Sequence, residues 1–232
     1  MRNNTVRARL VTFDVYMALL DIEGGLVPTV QNALGLPNET AIAFVRLWRT
    51  KQMERAATSN SLQKDRTPFR DCSAMALDYC LGRHSLTPSP DVRWSLVLAW
   101  DAIRPWPDAD PAIAAIKAKG YKTAILSNGD QDMLEAVAGN FANNAFDHIL
   151  SSETAGHYKP HPAVYDLPTK VLGIAKQDVV HVAGSANDVL GTIAADIRCI
   201  WSNRHSDQVL DPIYPPTHEI SNLTGIADLL DA

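Results

Sequence analysis

The second half of the chain alternates short apolar segments with helical patterns, and this alternation constrains the fold more than any other feature. Four segments predict buried strands: YKTAILSN, FDHILSS, DVVHVAGS and the shorter IRCIWSN. The segments between and around them predict helices: DPAIAAIKAKG, DMLEAVAGNFA, PAVYDLPTKVLG and DVLGTIAAD, with a break at Pro168 in the third. Such alternation indicates βαβ units, and therefore an α/β fold with a parallel sheet that helices cover on both faces.

A further strand is predicted at the start of the chain, in RLVTFDVYMALLD. Leu10, Val11, Phe13 and Val15 suit a central strand, yet Asp14 stands near its end. A buried carboxylate without a partner is costly. Asp14 therefore needs a specific reason to be there.

Residues 22–100 interrupt the alternation. They contain long amphipathic patterns, such as ETAIAFVRLWRTKQMERAA and PFRDCSAMALDYCLG, and no convincing strand. The proline-rich RPWPDADP then marks the return to the sheet. We predict a core domain formed by residues 1–21 and 101–232, with residues 22–100 inserted as a helical cap subdomain.

Composition excludes several classes of protein. The 232 residues carry a net charge of −5, which offers no basic surface for nucleic acid. No apolar run approaches the roughly 18 residues of a membrane span, and the first residues lack the apolar segment of a secretory signal. Cys72, Cys80 and Cys199 are odd in number and match no zinc spacing, so we expect reduced, packed thiols. A cytoplasmic protein with no nucleic-acid or membrane partner is predicted.

Polar residues stand at the predicted strand ends, where open α/β sheets bind their ligands. Asp14 closes the first strand, Ser127 the second and Ser185 to Asp188 the fourth, while Lys159 follows the third. Taken singly, each of these residues could be a helix cap, a turn former or an exposed lysine. Together they predict one crevice that contains them all.

These motifs resemble those of the haloacid dehalogenase superfamily and, within it, the 2-haloacid dehalogenases. The likeness covers nearly the whole length, and it implies a Rossmannoid core with an inserted helical cap. It carries over to the nucleophile Asp14 in TFDVY, to Ser127 and Asn128 in AILSNG, to Lys159 and Tyr165 in YKPHPAVY, to Asp188 in AGSANDVLG, and to the cap arginine Arg49 in LWRTKQMER.

Arg49 also has support from the sequence itself. On a helical wheel it falls among Ile42, Val45 and Met53, inside the apolar stripe. A guanidinium there either binds an anion in the crevice, reaches solvent from a packing face, or forms a structural ion pair. If it binds an anion, the substrate carboxylate and the departing halide are both candidates.

Most enzymes of this superfamily are Mg²⁺-dependent phosphatases, but two positions argue against that activity. The acid/base aspartate of the phosphatases is replaced by Tyr16, which the dehalogenases also carry, and an acidic position of the fourth motif is Ala183. Asp14 and Asp188 alone make a poor octahedral magnesium site. We therefore predict no metal and no cofactor, with a phosphatase as the alternative.

The chain also departs from the dehalogenase pattern. Met17-Ala18 replaces the usual Gly-Thr, and Ala183, Ser185 and Asn187 replace Ser, Asn and Trp. Loss of a positioned donor costs about 10²–10³ in rate, and Met17 is bulkier than some turns permit. A catalytically silent fold that binds an anion or a partner protein is the second alternative.

The resemblance implies hydrolysis of short 2-haloalkanoic acids through an aspartyl ester, by a homodimer. Asp14 would displace halide from C2, and a water held by Asp188 would then cleave the ester. Ser127 and Asn128 would stabilise the oxyanion, and Lys159 would stabilise charge throughout. The remaining predicted contacts are the apolar wall formed by Tyr16, Met53 and Phe69, the residues Ser185 and Asn187 beside the water, and Tyr165.

Overall fold

A computed structural model describes residues 9–62 and 64–230. Its centre is a six-stranded, fully parallel sheet in the order β3-β2-β1-β4-β5-β6. The strands are β1 (Leu10–Phe13), β2 (Lys122–Ser127), β3 (His148–Ser151), β4 (Val179–Ala183), β5 (Arg198–Ser202) and β6 (His218–Ile220). The α/β prediction and the five predicted strands are confirmed. The sixth was not predicted, because HEI is short and only partly buried.

The described residues form ten α-helices. They are α1 (Ile22–Leu34), α2 (Asn38–Ser61), α3 (Phe69–Arg83), α4 (Pro90–Leu98), α5 (Ala109–Ala118), α6 (Gln131–Ala138), α7 (Ser152–Ala155), α8 (Pro162–Tyr165), α9 (Leu167–Leu172) and α10 (Ala186–Ala194). The break predicted at Pro168 lies at Asp166, between α8 and α9. Pro168 occupies the first turn of α9, where its missing N–H is not needed.

Helices α1 to α4 lie between β1 and β2 in the chain, and the structure shows no strand among the described residues from 22 to 98. The chain segments that enter and leave this helical insertion run side by side. Leu20 and Pro105 form an antiparallel bridge, and Trp106 N donates to Leu19 O at 2.8 Å. One continuous apolar cluster includes Trp48 of the insertion and Phe13 of the sheet. The domain boundaries themselves stay a prediction.

A buried ion pair attaches the insertion to the core. Arg66, just before α3, donates to Asp130 at 2.7 Å, and both side chains are less than a tenth exposed. Asp130 also accepts from the backbone N–H groups of Phe69 and Arg70. A carboxylate at a helix N-terminus satisfies amides that have no partner within the helix. Asp130 therefore fixes the start of α3 over the end of β2.

In the chain segments that the structure describes, no helix is long and apolar enough to cross a bilayer. Cys72, Cys80 and Cys199 are buried and form no disulfide, as predicted.

Candidate active site

The sheet places three strand ends next to one another. Strand β1 is central, with Phe13 opposite Ile125 of β2 and Val182 of β4. Asp14 follows β1 and is held there by its backbone N–H, which donates to Val182 O at 2.9 Å. The residues that end β1, β2 and β4 therefore share one edge of the sheet, as strand order in an open α/β fold requires.

The Asp14 carboxylate is 8% exposed and has a partner at each oxygen. Oδ1 accepts from the Ser127 hydroxyl at 3.0 Å and lies 3.5 Å from the Lys159 ammonium. Oδ2 accepts from Met17 N at 3.0 Å, at the start of a π-helical turn over Val15–Leu19. Fixed donors and a nearby cation thus stabilise the charge at this strand end.

Lys159 joins the two carboxylates of the site. Its Nζ lies 3.0 Å from Asp188 Oδ2 and 3.5 Å from Asp14 Oδ1. Its backbone N–H donates to Asn128 Oδ1 at 2.8 Å, which orients that amide so that the NH₂ group is the end that can donate into the crevice. A buried ammonium between two carboxylates balances much of their charge.

Asp188 lies in the first turn of α10, and its carboxylate has three side-chain partners. Oδ1 accepts from the Tyr165 hydroxyl at 2.8 Å, and Oδ2 contacts Lys159 Nζ and His181 Nε2, each at 3.0 Å. Burial alone would raise the pKa of Asp188, but the charge of Lys159 and the contacts from His181 and Tyr165 hold that pKa well below its usual range. Asp188 is therefore ionised.

His181 is a residue of this site that the sequence analysis did not identify. It is fully buried on β4, with Nδ1 2.8 Å from Thr12 Oγ1 and Nε2 3.1 Å from Lys159 Nζ. Burial, together with the charge of Lys159, lowers the pKa of His181, so the imidazole is neutral. The available signal was the polar ring inside the apolar run VVHVA, because a buried ring nitrogen requires a partner.

Arg49 faces the carboxylates from helix α2. Its guanidinium donates to Gln52 Oε1 at 2.6 Å and lies 5.6 Å and 5.7 Å from the ring centres of Tyr16 and Trp100. Burial lowers the pKa of Arg49, and the charge of Asp14 opposes that shift. Within residues 9–62 and 64–230, no carboxylate forms a salt bridge with it. The cation is available to an anion in the crevice.

A cavity of about 30 Å³, here called the inner cavity, lies between Arg49 on α2 and the carboxylates of Asp14 and Asp188 at the sheet. Three predicted site residues stand one layer behind it: Ser127 contacts Asp14, Tyr165 contacts Asp188, and the Phe69 ring packs 5.7 Å from that of Tyr16. The residues that line it are Asp14, Tyr16, Met17, Arg49, Met53, Asn128, Lys159, Ser185, Asn187 and Asp188.

The Tyr16 hydroxyl is buried without a hydrogen-bond partner among the described residues. Burial, with a contribution from Asp101, raises the pKa of Tyr16, so the phenol stays protonated. A buried donor without a partner costs about 1–3 kcal/mol. This hydroxyl lies close to Gly129, which does not line the inner cavity, and the described residues leave it without a partner.

Met17 fits the turn without backbone strain, contrary to the concern raised by its size. It lies inside the helical turn Val15–Leu19, and it is not among the residues with positive φ. The space is provided by Gly184, where an added Cβ would overlap Ala18 N and the Met17 Cβ. The bulkier residue in one loop therefore faces the smallest residue in the other.

The side chains present do not fit the magnesium ion that phosphatases of this fold carry. Tyr16 and Ala183 stand where acidic groups would be needed, and the Lys159 ammonium already lies between Asp14 and Asp188. In the described part of the chain, no three histidine, cysteine or acidic residues are grouped so that they could hold a metal ion. Mg²⁺ requires near-octahedral oxygen coordination, which this arrangement does not offer.

Comparison with known proteins gives consistent matches. Residues 9–196 match the family described as haloacid dehalogenase-like hydrolases. (S)-2-haloacid dehalogenase 1 of Pseudomonas sp. (strain CBS-3) is 30% identical over 224 residues, 96% of each chain. A solved dehalogenase with an intermediate complex superposes with a TM-score of 0.89 at 26% identity, covering 97% of this chain and 98% of the other. L-2-haloacid dehalogenase from Xanthobacter autotrophicus with covalently bound chloropropionic acid gives 0.85 at 25% identity, covering 96% and 98%.

Proposed function

We propose that this chain, which belongs to the haloacid dehalogenase-like hydrolase family, is a hydrolase that converts 2-haloalkanoic acids into 2-hydroxy acids. One observation carries the proposal: across a small cavity, the paired carboxylate of Asp14 faces Arg49, which forms no salt bridge with any described residue. A substrate with a carboxylate and a polarised carbon–halogen bond matches both sides. The relatives named for the same reaction support it.

In the first step, an Asp14 oxygen attacks C2 on the side opposite the halogen. The C–O bond forms as the carbon–halogen bond breaks, the configuration at C2 inverts, and halide leaves with the bonding electron pair. Arg49 binds the substrate carboxylate or receives the halide, and the Tyr16 ring lies beside its guanidinium. Met53 contributes apolar surface to the same wall.

In the second step, water attacks the carboxyl carbon of the Asp14 ester. Asp188 accepts the water proton, while Ser127, Asn128 and Lys159 stabilise the oxyanion. Collapse expels the 2-hydroxy acid, whose alkoxide takes up the proton, and one water oxygen stays in Asp14. Ser185 and Asn187, which line the cavity next to Asp188, hold the water.

The low pKa of Asp188 has a kinetic consequence in this scheme. A carboxylate already engaged by Lys159, Tyr165 and His181 is a weaker base than a free one. We propose that this hydrolytic step limits turnover. Halide should then appear in a burst equal to the enzyme concentration before the steady state begins, and a linear release from the start would contradict the proposal.

The decisive experiment is a single turnover in ¹⁸O-water with enzyme in excess. The hydroxy acid should contain ordinary oxygen, and the label should appear in the Asp14 peptide. Asp188→Asn should release halide and then retain the ester, visible as a mass increase on that peptide. Label in the product instead of Asp14 would show direct attack by water and contradict the scheme.

Two alternatives, a phosphatase and a catalytically silent fold, would replace this proposal if the following results were obtained. Turnover should be unchanged by EDTA. Hydrolysis of p-nitrophenyl phosphate that requires Mg²⁺, without halide release, would favour the phosphatase. No halide, no ester and no phosphate release would favour the silent fold.

The proposal includes the setting of the enzyme: a cytoplasmic homodimer without a cofactor, with residues 22–100 as the cap. The buried free thiols suit a reducing compartment. Exposed apolar side chains on two cap helices, Met75 and Tyr79 on α3 with Trp94 and Leu98 on α4, suit a contact between copies. Light scattering after gel filtration tests the dimer.

A further inference from the structure

A second cavity, of about 510 Å³, adjoins the inner one. We call it the outer chamber. Met17 and Arg49 line both spaces, so these two side chains form the partition between them. The outer chamber is bounded by the start of α1, by one face of α2 and by the returning segment at Trp106.

The inner cavity is too small for a whole substrate in its present form. A cavity of about 30 Å³ accommodates roughly two water molecules, since each water needs about 10–15 Å³ of cavity volume. Even 2-chloropropanoate has its carboxylate, halogen and two further carbons to place. Part of any substrate must therefore occupy space that the partition now closes.

The partition is the part of the wall that can yield. Met17 is unbranched, with three rotatable bonds, and Arg49 is held by one hydrogen bond to Gln52. On the other side of the cavity, Asp14 and Lys159 are fixed by several buried contacts each. Substrate should therefore displace the partition toward the outer chamber and leave the core side in place.

The lining of the outer chamber is suited to an apolar group. Leu20, Ile22, Val45 and Trp106 contribute aliphatic and aromatic surface. Two of the charged groups at the chamber neutralise one another, because Arg46 forms an ion pair with Glu23 at 2.7 Å. A hydrocarbon chain gains free energy by leaving water for such a surface.

We propose that the outer chamber is an alkyl-chain subsite, so that the substrate range extends beyond short acids to 2-haloalkanoic acids with longer unbranched chains. The carboxylate and C2 lie between Asp14 and Arg49, and the chain beyond C3 passes between Met17 and Arg49 into the chamber. This rests on the proposed dehalogenase function and specifies its substrate class. Met17 then determines specificity by controlling the opening.

The test measures halide release from (S)-2-bromopropanoate, -butanoate, -hexanoate and -octanoate. The value of kcat/KM should rise with chain length, since each buried methylene contributes about fourfold. Thr50→Trp places a bulky ring in the chamber from an exposed position on α2 and should reduce the octanoate-to-propanoate ratio by about tenfold or more. Met17→Ala widens the opening and should raise the same ratio.

Thr58→Trp is the matched control. Thr50 and Thr58 are both exposed residues of α2, and each hydroxyl donates to the carbonyl four residues earlier at 2.8 Å. Thr58 does not line the chamber. Its substitution should leave the octanoate-to-propanoate ratio at the wild-type value.

The outcomes distinguish failure of the alkyl-chain subsite from failure of the proposed dehalogenase function. Halide release that is flat or falls with chain length, or an equal ratio in Thr50→Trp and Thr58→Trp, would overturn the subsite and leave the dehalogenase proposal standing. If no acid releases halide, calorimetry with 2-hydroxyoctanoate and lactate decides. Tighter binding of the longer acid, lost in Thr50→Trp, would support the subsite alone, and equal affinities would overturn it.

Discussion

The two sides of the inner cavity differ in how completely their charges are paired. On the sheet side, Asp14, Lys159 and Asp188 contact one another and their neighbours over 2.8–3.5 Å. On the helical side, Arg49 has one hydrogen bond, to Gln52, and two aromatic neighbours. The charges on the sheet side are thus paired before a ligand binds. On the helical side, the charge of Arg49 is paired only when an anionic ligand binds.

This difference predicts two kinds of mutational effect. Removing a group from the sheet side leaves a buried charge unpaired, which lowers both stability and activity. Removing the charge on the helical side takes away an interaction made only with the ligand, so activity falls while stability is kept.

Lys159→Met should have the largest effect, because Asp14 and Asp188 would then face each other without the ammonium between them. The free energy of unfolding should fall by about 3–5 kcal/mol, and halide release by about 10³-fold. Urea unfolding and initial rates measure the two quantities. Lys122→Met is the control, since that side chain is 64% exposed and should cost less than about 1 kcal/mol. Wild-type stability in Lys159→Met would contradict the pairing on the sheet side.

Arg49→Lys should lower kcat/KM by about 10², because a point charge cannot reproduce the planar fork of a guanidinium. The free energy of unfolding should change by less than about 1 kcal/mol. Arg93→Lys, on α4 and paired with Asp78, lines neither cavity, so it is the control and should change neither. Near-normal turnover in Arg49→Lys would mean that Arg49 is structural, and the contrast between the two sides would fail.

Gly184→Ala should lower kcat by about tenfold, because the new methyl group must displace the backbone at residues 17 and 18, next to Asp14. Overpacking of this kind also costs about 1–3 kcal/mol of stability. Gly82→Ala is the matched control: it lies within α3 with open space around it, and it should stabilise the protein by about 0.5–1 kcal/mol. If kcat is unchanged in Gly184→Ala, the sheet side is less rigid than its contacts indicate.

His181→Asn tests whether the network of paired groups on the sheet side includes His181, which contacts Lys159 and Asp188. Because the pKa of His181 is lowered in the folded state, the unfolded chain binds a proton more readily below about pH 6.5. This group therefore contributes stability above that pH and loses it as the pH falls. Between pH 7.5 and 5, the unfolding free energy of the variant should decline by about 1 kcal/mol less than that of the wild type. The exposed His205, changed to Asn, controls for the loss of one histidine, and an identical decline in both variants would place the imidazole outside the network.

The sequence predicted the elements that depend on local patterns. Strand β4 is an apolar run, and α2 an amphipathic one, so each could be recognised without knowing its neighbours. Helix α1 was not specified, since two glycines and Pro28 obscure its pattern. Strand β6 depends on pairing with β5.

In the candidate site, too, some residues could be predicted from local patterns and others depend on partners distant in the chain. Asp14 stands at the end of β1 and Lys159 follows β3 by eight positions, so the strand order predicted that both would lie at the same edge of the sheet. The contact of His181 with Lys159 requires a residue 22 positions away in the chain. The partnership of Arg66 with Asp130 spans 64 positions. Such pairs follow from side-chain packing in three dimensions, which no local pattern encodes.

The close approach of Gly184 to Met17 and Ala18 also limits how this chain can evolve. A side chain gained at position 184 meets the backbone that follows the nucleophile, whichever residue occupies position 17. A side chain at position 184 is therefore tolerated only where the path of the other loop leaves room for it. Exchange of either loop alone with a relative should produce an incompatible hybrid, whereas exchange of both together should preserve the geometry around Asp14.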